Sequence, residues 1–484
     1  MNRRQFVASF GASMCAASFP SHGKASSSKP NILIMITDQQ FAEAASYRVG
    51  SRYIHTPNMD SVAARGTVYT RAYCSNPLCV PSRTSMFTGQ YPTVTSVMDN
   101  SDCIRLNLTL INYPHMFPLM GRVFQSAGYE TAYFGKWHIP CPVSRSDIHG
   151  FDIAKMGLGE FGSKSIDTTT AADAAAFLRQ KHQKPFLAVA SILNPHNIAE
   201  WSRGQALPLG PIGQPPPIDE LPPLRANHAP QKNEPDTITL MRHSYQSAPM
   251  FPVSHFDDTK WRQYQWAYYR LIEKADAQIG VVLQALRASG HEQDTLVVMV
   301  ADHGDCQGAH DWNQKTVFYE EATRVPFVLS GPGVSKGGQS ARLVNTGIDL
   351  MPTLCDFAEI DVPPHLPGLS VRNPTSDPRP YVVTSDKMLE GAPLDGRKPN
   401  PTGRMLRSQR YKYTVYSEGQ RREALVDLEK DPGEMVNLAG ESGSQEILRQ
   451  HRSMLAEWCR QTRDAFPIPG FAPTSGMDGC ESAS

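Results

Sequence analysis

Four short apolar runs, each ending abruptly in ionisable residues, constrain the fold of this chain more than any other feature. The first is "PNILIMITDQQ": Ile32 to Ile36 is apolar without a break, and Thr37, Asp38, Gln39 and Gln40 follow at once. The others are "TAYFGKWH", ending in Lys136 and His138, "PFLAVASILNPH", ending in Asn194 and His196, and "TLVVMVADHGD", ending in Asp302 and His303. A half-buried strand alternates apolar and polar residues, whereas an unbroken run marks a strand covered on both faces. Helical patterns fill the intervals. Ala171 to Leu178 is alanine-rich. Trp261 to Ala288 repeats Ile272, Ile279, Val282, Leu283 and Leu286 at helical spacing, with Gly290 where a C-cap would stand. Strands alternating with helices predict an α/β fold, a large and mostly parallel sheet flanked by helices on both faces. Ligands of such sheets bind beyond the carboxyl ends of the strands, where the four polar clusters fall.

Two regions depart from this pattern. Residues 203 to 235, "RGQALPLGPIGQPPPIDELPPLRANHAP" and its flanks, are too proline-rich for a helix or a central strand. This segment leaves directly from the His196 strand end, so it is expected as a long ordered loop packed over the sheet edge. After about residue 375, "RPYVVTSD", "GRMLRSQRYKYTVY" and "EALVDLEKDPGEMVNL" read as short strands joined by turns. A last helix near Gln445 to Thr462 carries Leu448, Leu455 and Trp458 on one face. The expected division is 29–374 for the main domain and 375–484 for a smaller one with a short antiparallel sheet and a helix.

The chain has 484 residues with 47 basic and 47 acidic side chains, and this zero net charge argues against a nucleic-acid partner. Its nine cysteines are too sparse for a disulfide scaffold, and the odd count leaves at least one unpaired. At the N-terminus, Arg3 and Arg4 precede an apolar run from Phe6 to Phe19 that is too short to span a bilayer. Its "RRQF" resembles a twin-arginine signal. Residues 1–28 are therefore expected to be an export signal and linker. No later stretch reads as a membrane span, and the product is expected in the periplasm or outside the cell.

At the strand ends, Asp38, Gln39 and Asp302 offer hard oxygens that suit Ca²⁺ or Mg²⁺. The imidazole of His303 is more natural to Mn²⁺ or Zn²⁺. One Asp in such a place commonly caps a turn or helix, so the metal reading rests on both pairs ending strands that neighbour each other. Arg83, Lys136, His138, His196, His310 and Lys315 also lie at strand ends or in loops. One such cation is ordinary surface, but several aimed at one point make a pocket for a small oxyanion. No convincing ligand set for a second metal is present, so one metal with lysines is preferred to a two-zinc phosphatase site.

"CSNPLCVPSRTSMFTGQYP", Cys74 to Pro92, adds a reactive candidate. The cysteine spacing is not that of a zinc knuckle. Pro81 suits a first helical turn, which puts Cys79 at a helix N-terminus, where the dipole favours a thiolate. A nucleophile and a buried structural cysteine fit these local facts equally.

Taken together, these segments resemble the sulfatase family. "CVPSRTSMFTG" resembles the sulfatase signature, and "GKWH", Gly135 to His138, resembles the second one. "ADHGDCQGAHDWNQKTVFYEEATRVP", Ala301 to Pro326, is similar to the third block and "LVDLEKDPGEMVNL" to the C-terminal block. The resemblance implies an alkaline-phosphatase-like fold and hydrolysis of a sulfate ester. It also implies conversion of Cys79 by a maturation enzyme to formylglycine (3-oxoalanine), whose hydrate has two hydroxyls. One attacks sulfur and the other loses its proton to expel sulfate; a plain serine or cysteine would keep a stable covalent sulfate.

By the same resemblance, Asp38, Gln39, Asp302 and His303 would hold the metal, normally Ca²⁺, with Mg²⁺ or Mn²⁺ as alternatives. Arg83 would steady the hydrate, and Lys136 and Lys315 would neutralise sulfate oxygens. His138 would assist elimination. His196 and His310 would contact sulfate or protonate the leaving oxygen. Many sulfatases carry Asp in place of Gln39 and Asn in place of His303. The expected substrate is a sulfated carbohydrate or other small sulfate ester, with sugar-binding groups in loops, chiefly residues 197–258, where Arg203, Arg242 and His243 are candidates, and the C-terminal domain. The rival readings are a phosphonate or phosphate ester hydrolase with the same nucleophile and a non-catalytic sugar-binding relative.

Overall fold

The computed structural model describes residues 29–102, 117–157, 166–373, 379–388 and 391–472. The export-signal expectation, on residues 1–28, and the expected domain junction at 374–375 lie outside the described residues. Among the described residues the main sheet has eight strands: β1 (Asn31–Asp38), β2 (Gly66–Tyr73), β3 (Glu130–Lys136), β4 (Ile153–Gly157), β5 (Phe186–Pro195), β6 (Thr295–Ala301), β7 (Phe327–Ser330) and β8 (Gly338–Asn345). Their order is β4-β3-β5-β1-β6-β7-β2-β8. All neighbours are parallel except β7, which runs against both β6 and β2. The four strands whose polar ends stood out in the sequence are thus consecutive in space, β3-β5-β1-β6.

The unbroken apolar run of β1 has its explanation in two cores. Leu33 and Met35 face one, shared with Ile272, Ile279, Val282 and Leu286 of the long helix Asp258–Ala288. Ile32, Ile34 and Ile36 face the other, shared with Met86 and Phe87 and with Leu350, Met351 and Leu354 of the helix Thr346–Phe357. Side chains alternate across a strand, so both residue sets must be apolar. The long helix starts at an Asp257 N-cap that accepts from the Lys260 amide, and Gly290 follows its end with φ of 80°, in the left-handed region that favours glycine.

A second sheet is antiparallel, in the order β12-β11-β10-β9: β9 (Tyr381–Lys387), β10 (Thr402–Ser408), β11 (Tyr411–Tyr416) and β12 (Glu423–Asp427). The helix Gln445–Thr462 buries Leu448, Leu455 and Trp458 against it. The proline-rich segment is ordered as expected. It lies on the 304–322 loop and the C-terminal region through an Arg225–Glu321 ion pair at 2.8 Å, a His228 Nδ1 to Gly308 carbonyl bond at 2.6 Å, and the Lys232 amide donating to Met435 at 2.8 Å.

Strands β3 and β5 approach closely at the site end. Gly135 has φ of 98°, and a Cβ there would stand 2.1 Å from the Ser191 carbonyl oxygen and 2.7 Å from Thr170 Oγ1. Gly135→Ala therefore combines an unfavourable backbone conformation with a backbone collision, at an expected cost of roughly 2–4 kcal/mol. A thermal unfolding midpoint several degrees below the native chain's is the expected result, and an unchanged midpoint would refute this account.

Candidate active site

The end of β2 leads through Cys74 and Ser75 into the helix Cys79–Thr88, with Cys79 at its first position and Gly89 closing it in the left-handed region. Helix dipole and fold thus bring the Cys79 thiol to the carboxyl ends of the central strands. Its Sγ lies 3.1 Å from Lys315 Nζ, 3.2 Å from His303 Nε2 and 3.8 Å from Asp38 Oδ1. Hydrogen bonding to His138 and His196 completes the ring around it. Burial alone would push this thiol up, but Lys136, Lys315 and His303 outweigh it and hold it well below the ordinary thiol range. Cys74 and Cys306, equally buried, are pushed up by desolvation.

Arg83 sits one turn after Cys79, fully buried. Its guanidinium donates to Asp38 Oδ2 and Asp302 Oδ2, both at 2.8 Å, and to the Lys136 carbonyl at 2.9 Å and Ser191 Oγ at 2.8 Å. Lys136 Nζ also reaches Asp38 Oδ2, at 2.7 Å. Burial and the Cys79 charge raise the Asp38 carboxyl, and Lys136, Arg83 and His196 overcome both, so it stays ionised far below the usual carboxylate range. With Oδ2 taken by two cations, Asp38 Oδ1 is the oxygen turned to Cys79.

The donor set fits a divalent cation. Ligand atoms of Asp38, Cys79, Asp302 and His303 all lie within 4.8 Å of one another, and all four residues are buried. His303 Nδ1 donates to the Gly304 carbonyl at 3.0 Å, so in the neutral ring Nε2 is the nitrogen that carries a lone pair toward the cluster. Gln39 takes φ of 69° after β1, and its Oε1 accepts from Lys315 Nζ at 3.0 Å. The Lys315 ammonium thus touches Gln39, Cys79 and His303, holding positive charge among the same groups. Two carboxylates, an amide oxygen and an imidazole suit a hard cation.

The structure gathers Cys79, Arg83, Lys136, His138, His196, Lys315, Asp38, Gln39, Asp302 and His303, and sets His310 apart. His310 was expected at the sulfate, yet its ring stacks on Tyr319 at 3.7 Å and its ligand atoms group with Glu321 and Glu434. The cause is local. Gln307, Gly308, His310 and Asp311 all have positive φ, and this tight turn carries the ring that stacks on Tyr319. Burial lowers its pKa to about 4, and raises that of Glu434 to about 7. Of the proposed sugar-binding candidates, Arg242 is buried in an ion pair with Glu234, Arg203 bonds Glu200 and Gln205, and His243 is exposed. Sequence reasoning missed Ser191, Asp305, Tyr264 and Tyr268. Asp305 lies only three residues beyond Asp302 in "DHGD", a signal that was there to use.

Residues 30–360 match the Sulfatase family, and residues 308–461 match the C-terminal region of N-sulphoglucosamine sulphohydrolase. The chain is 33% identical over 464 residues to the Delta 4,5-hexuronate-2-O-sulfatase of Bacteroides thetaiotaomicron, covering 90% of each protein. It is 28% identical over 471 residues to the Ulvan-active sulfatase of Formosa agariphila, covering 90% of this chain and 82% of that one. A solved 2-O GAG sulfatase superposes with a TM-score of 0.77 and 29% identity, over 90% of this chain and 93% of the other. The motifs, the fold and these matches over nearly the whole described length agree, and the chain belongs to the sulfatase family of sulfuric ester hydrolases.

Proposed function

We propose that this protein removes sulfate from a sulfated carbohydrate, with a hexuronate 2-O-sulfate as the first substrate class, through a formylglycine made from Cys79. The observation that carries this reading is the position of Cys79 between two lysines, three histidines and two ion-paired carboxylates. The relatives named above support the sugar and the 2-O position. A formylglycine hydrate would supply an oxygen nucleophile with a second hydroxyl for release of sulfate. A divalent cation, with Ca²⁺ preferred for its oxygen-rich donor set, would be held by Asp38, Gln39, Asp302 and His303 and would act as a Lewis acid on the sulfate.

The chain's own residues do the rest. Lys136 and Lys315 offset the charge of the equatorial sulfate oxygens. Arg83 fixes both carboxylates and so the geometry around residue 79. His138 is placed to take a proton from the second hydroxyl. His196 is the leaving-group acid, because it borders Cys79 while His310 does not. Burial, with Lys136 and Lys315, lowers the His196 pKa in the free protein; an arriving anion pushes it back toward protonation. The twin-arginine-like signal supports export of the folded protein, and Cys79 would then be converted before transport.

The test is sulfate release from a panel of sulfated mono-, di- and polysaccharides, using protein co-expressed with a formylglycine-generating enzyme. Release from 2-O-sulfated uronosides, an aldehyde in the Cys79 peptide by mass spectrometry, and silence of Cys79→Ala are expected. Faster turnover of aryl phosphonate than of any sulfate would instead favour the phosphonate hydrolase reading. A second measurement isolates the acid. His196→Ala should lower kcat/KM on a sugar sulfate by about 10²–10⁴, and far less on an aryl sulfate whose leaving group needs no proton. Equal losses on both substrates would remove His196 from that role.

A further inference from the structure

Among the metal-binding residues expected here, Gln39 is the one whose side chain can face the cation in a wrong way. A carboxylate presents oxygen from either end, whereas an amide presents oxygen from one end and an N–H donor from the other. Something must decide between them. Gln39 Nε2 donates to Asp305 Oδ2 at 2.7 Å, while Gln39 Oε1 accepts from Lys315 Nζ at 3.0 Å. Asp305 is itself fixed: the Gln307 amide donates to Oδ1 at 2.8 Å, and the Tyr264 hydroxyl lies 3.1 Å from Oδ2 and 3.3 Å from Oδ1. Gln39, Asp305 and Tyr264 are all fully buried. The backbone of Gln39 is held too, its carbonyl accepting from the Tyr268 hydroxyl at 2.6 Å and its amide donating to Asp302 Oδ1 at 3.0 Å.

We propose that Asp305 is a positioning residue for the divalent cation, locking the Gln39 amide so that its oxygen faces the Asp38–Asp302–His303 cluster. The proposal rests on the metal reading given above. Both Asp305 oxygens are used as acceptors, one by Gln307 and one by Gln39. An asparagine could satisfy only one of them and would set an NH₂ against the other donor. The negative charge that an acidic ligand would carry at position 39 stands instead one residue further out, and it polarises the amide so that Oε1 becomes a better donor to a cation.

The test measures Ca²⁺ affinity by calorimetry on the full chain made without a maturation enzyme, so that catalysis plays no part. Wild type should bind one Ca²⁺, and Asp305→Asn should bind it about 10–100-fold more weakly. Gln39→Glu alone places two carboxylates in contact and should also weaken binding. Combining Gln39→Glu with Asp305→Asn exchanges amide and carboxylate at constant shape and charge, and should recover affinity to near wild type. Should Asp305→Asn not fold, Tyr264→Phe, which removes one bond to Asp305, should cost about fivefold. Wild-type affinity in Asp305→Asn, or a double variant no better than either single one, overturns the proposal. No Ca²⁺ binding by wild type overturns the metal reading on which it stands.

Discussion

One guanidinium holds the centre of this molecule. Arg83 is bound to the ends of four adjacent strands: Asp38 of β1, Asp302 just beyond β6, the Lys136 carbonyl of β3 and Ser191 of β5. A buried charge is costly unless every donor finds an acceptor, and breaking such a pair leaves uncompensated charge behind. Here the planar fork spends its donors on two carboxylates, a carbonyl and a hydroxyl, which a lysine point charge could not do. The same bonds turn one oxygen of each carboxylate to the structural partner and leave the other toward the site. Scaffold and chemistry are therefore one interaction, and the helix that carries Arg83 carries Cys79 one turn earlier.

The electrostatic result is a division among thiols. The six described cysteines are buried and unpaired with one another. Five lie in surroundings that burial makes hostile to charge: Cys141, Cys355 and Cys459 are pushed up to about 12, and Cys74 and Cys306 well above the ordinary thiol range. Only Cys79 among them has lysines close enough to reverse the sign. Burial by itself does not distinguish a nucleophile from a core residue, and so local sequence left the two readings of Cys79 level. The deciding groups, Lys136 and Lys315, come from distant parts of the chain.

How far the fold was legible depends on burial geometry. β1, β3, β5 and β6 were visible because two covered faces force an unbroken apolar run. β2, "GTVYTRAY", and β8, "GQSARLVN", mix polar and apolar residues, β4 is partly exposed, and β7 has only four residues. None of these rises above the noise of composition. Site residues at strand ends were legible for the same reason as the strands. Tyr264 and Tyr268 were not, because four-residue spacing on a long helix reads as core, and nothing local tells that their hydroxyls reach Asp305 and Gln39. His310 stands between Asp302 and Lys315 in sequence, and the four positive φ angles in "QGAHD" that accompany its stacking on Tyr319 cannot be read from those letters.

Cys74 marks where the two sheets meet. Its amide donates to Thr323 and its carbonyl accepts from Thr384 Oγ1 of β9, while the next carbonyl, of Ser75, accepts from the Ser385 amide. Ser75 Oγ donates to Asn345 at 2.6 Å. The three residues between this clamp and Cys79 leave little slack. The smaller sheet is thus tied by hydrogen bonds to the segment that enters the site. Through these bonds β9 grips the segment that leads to Cys79, so a substitution in β9 is felt at the end of another sheet.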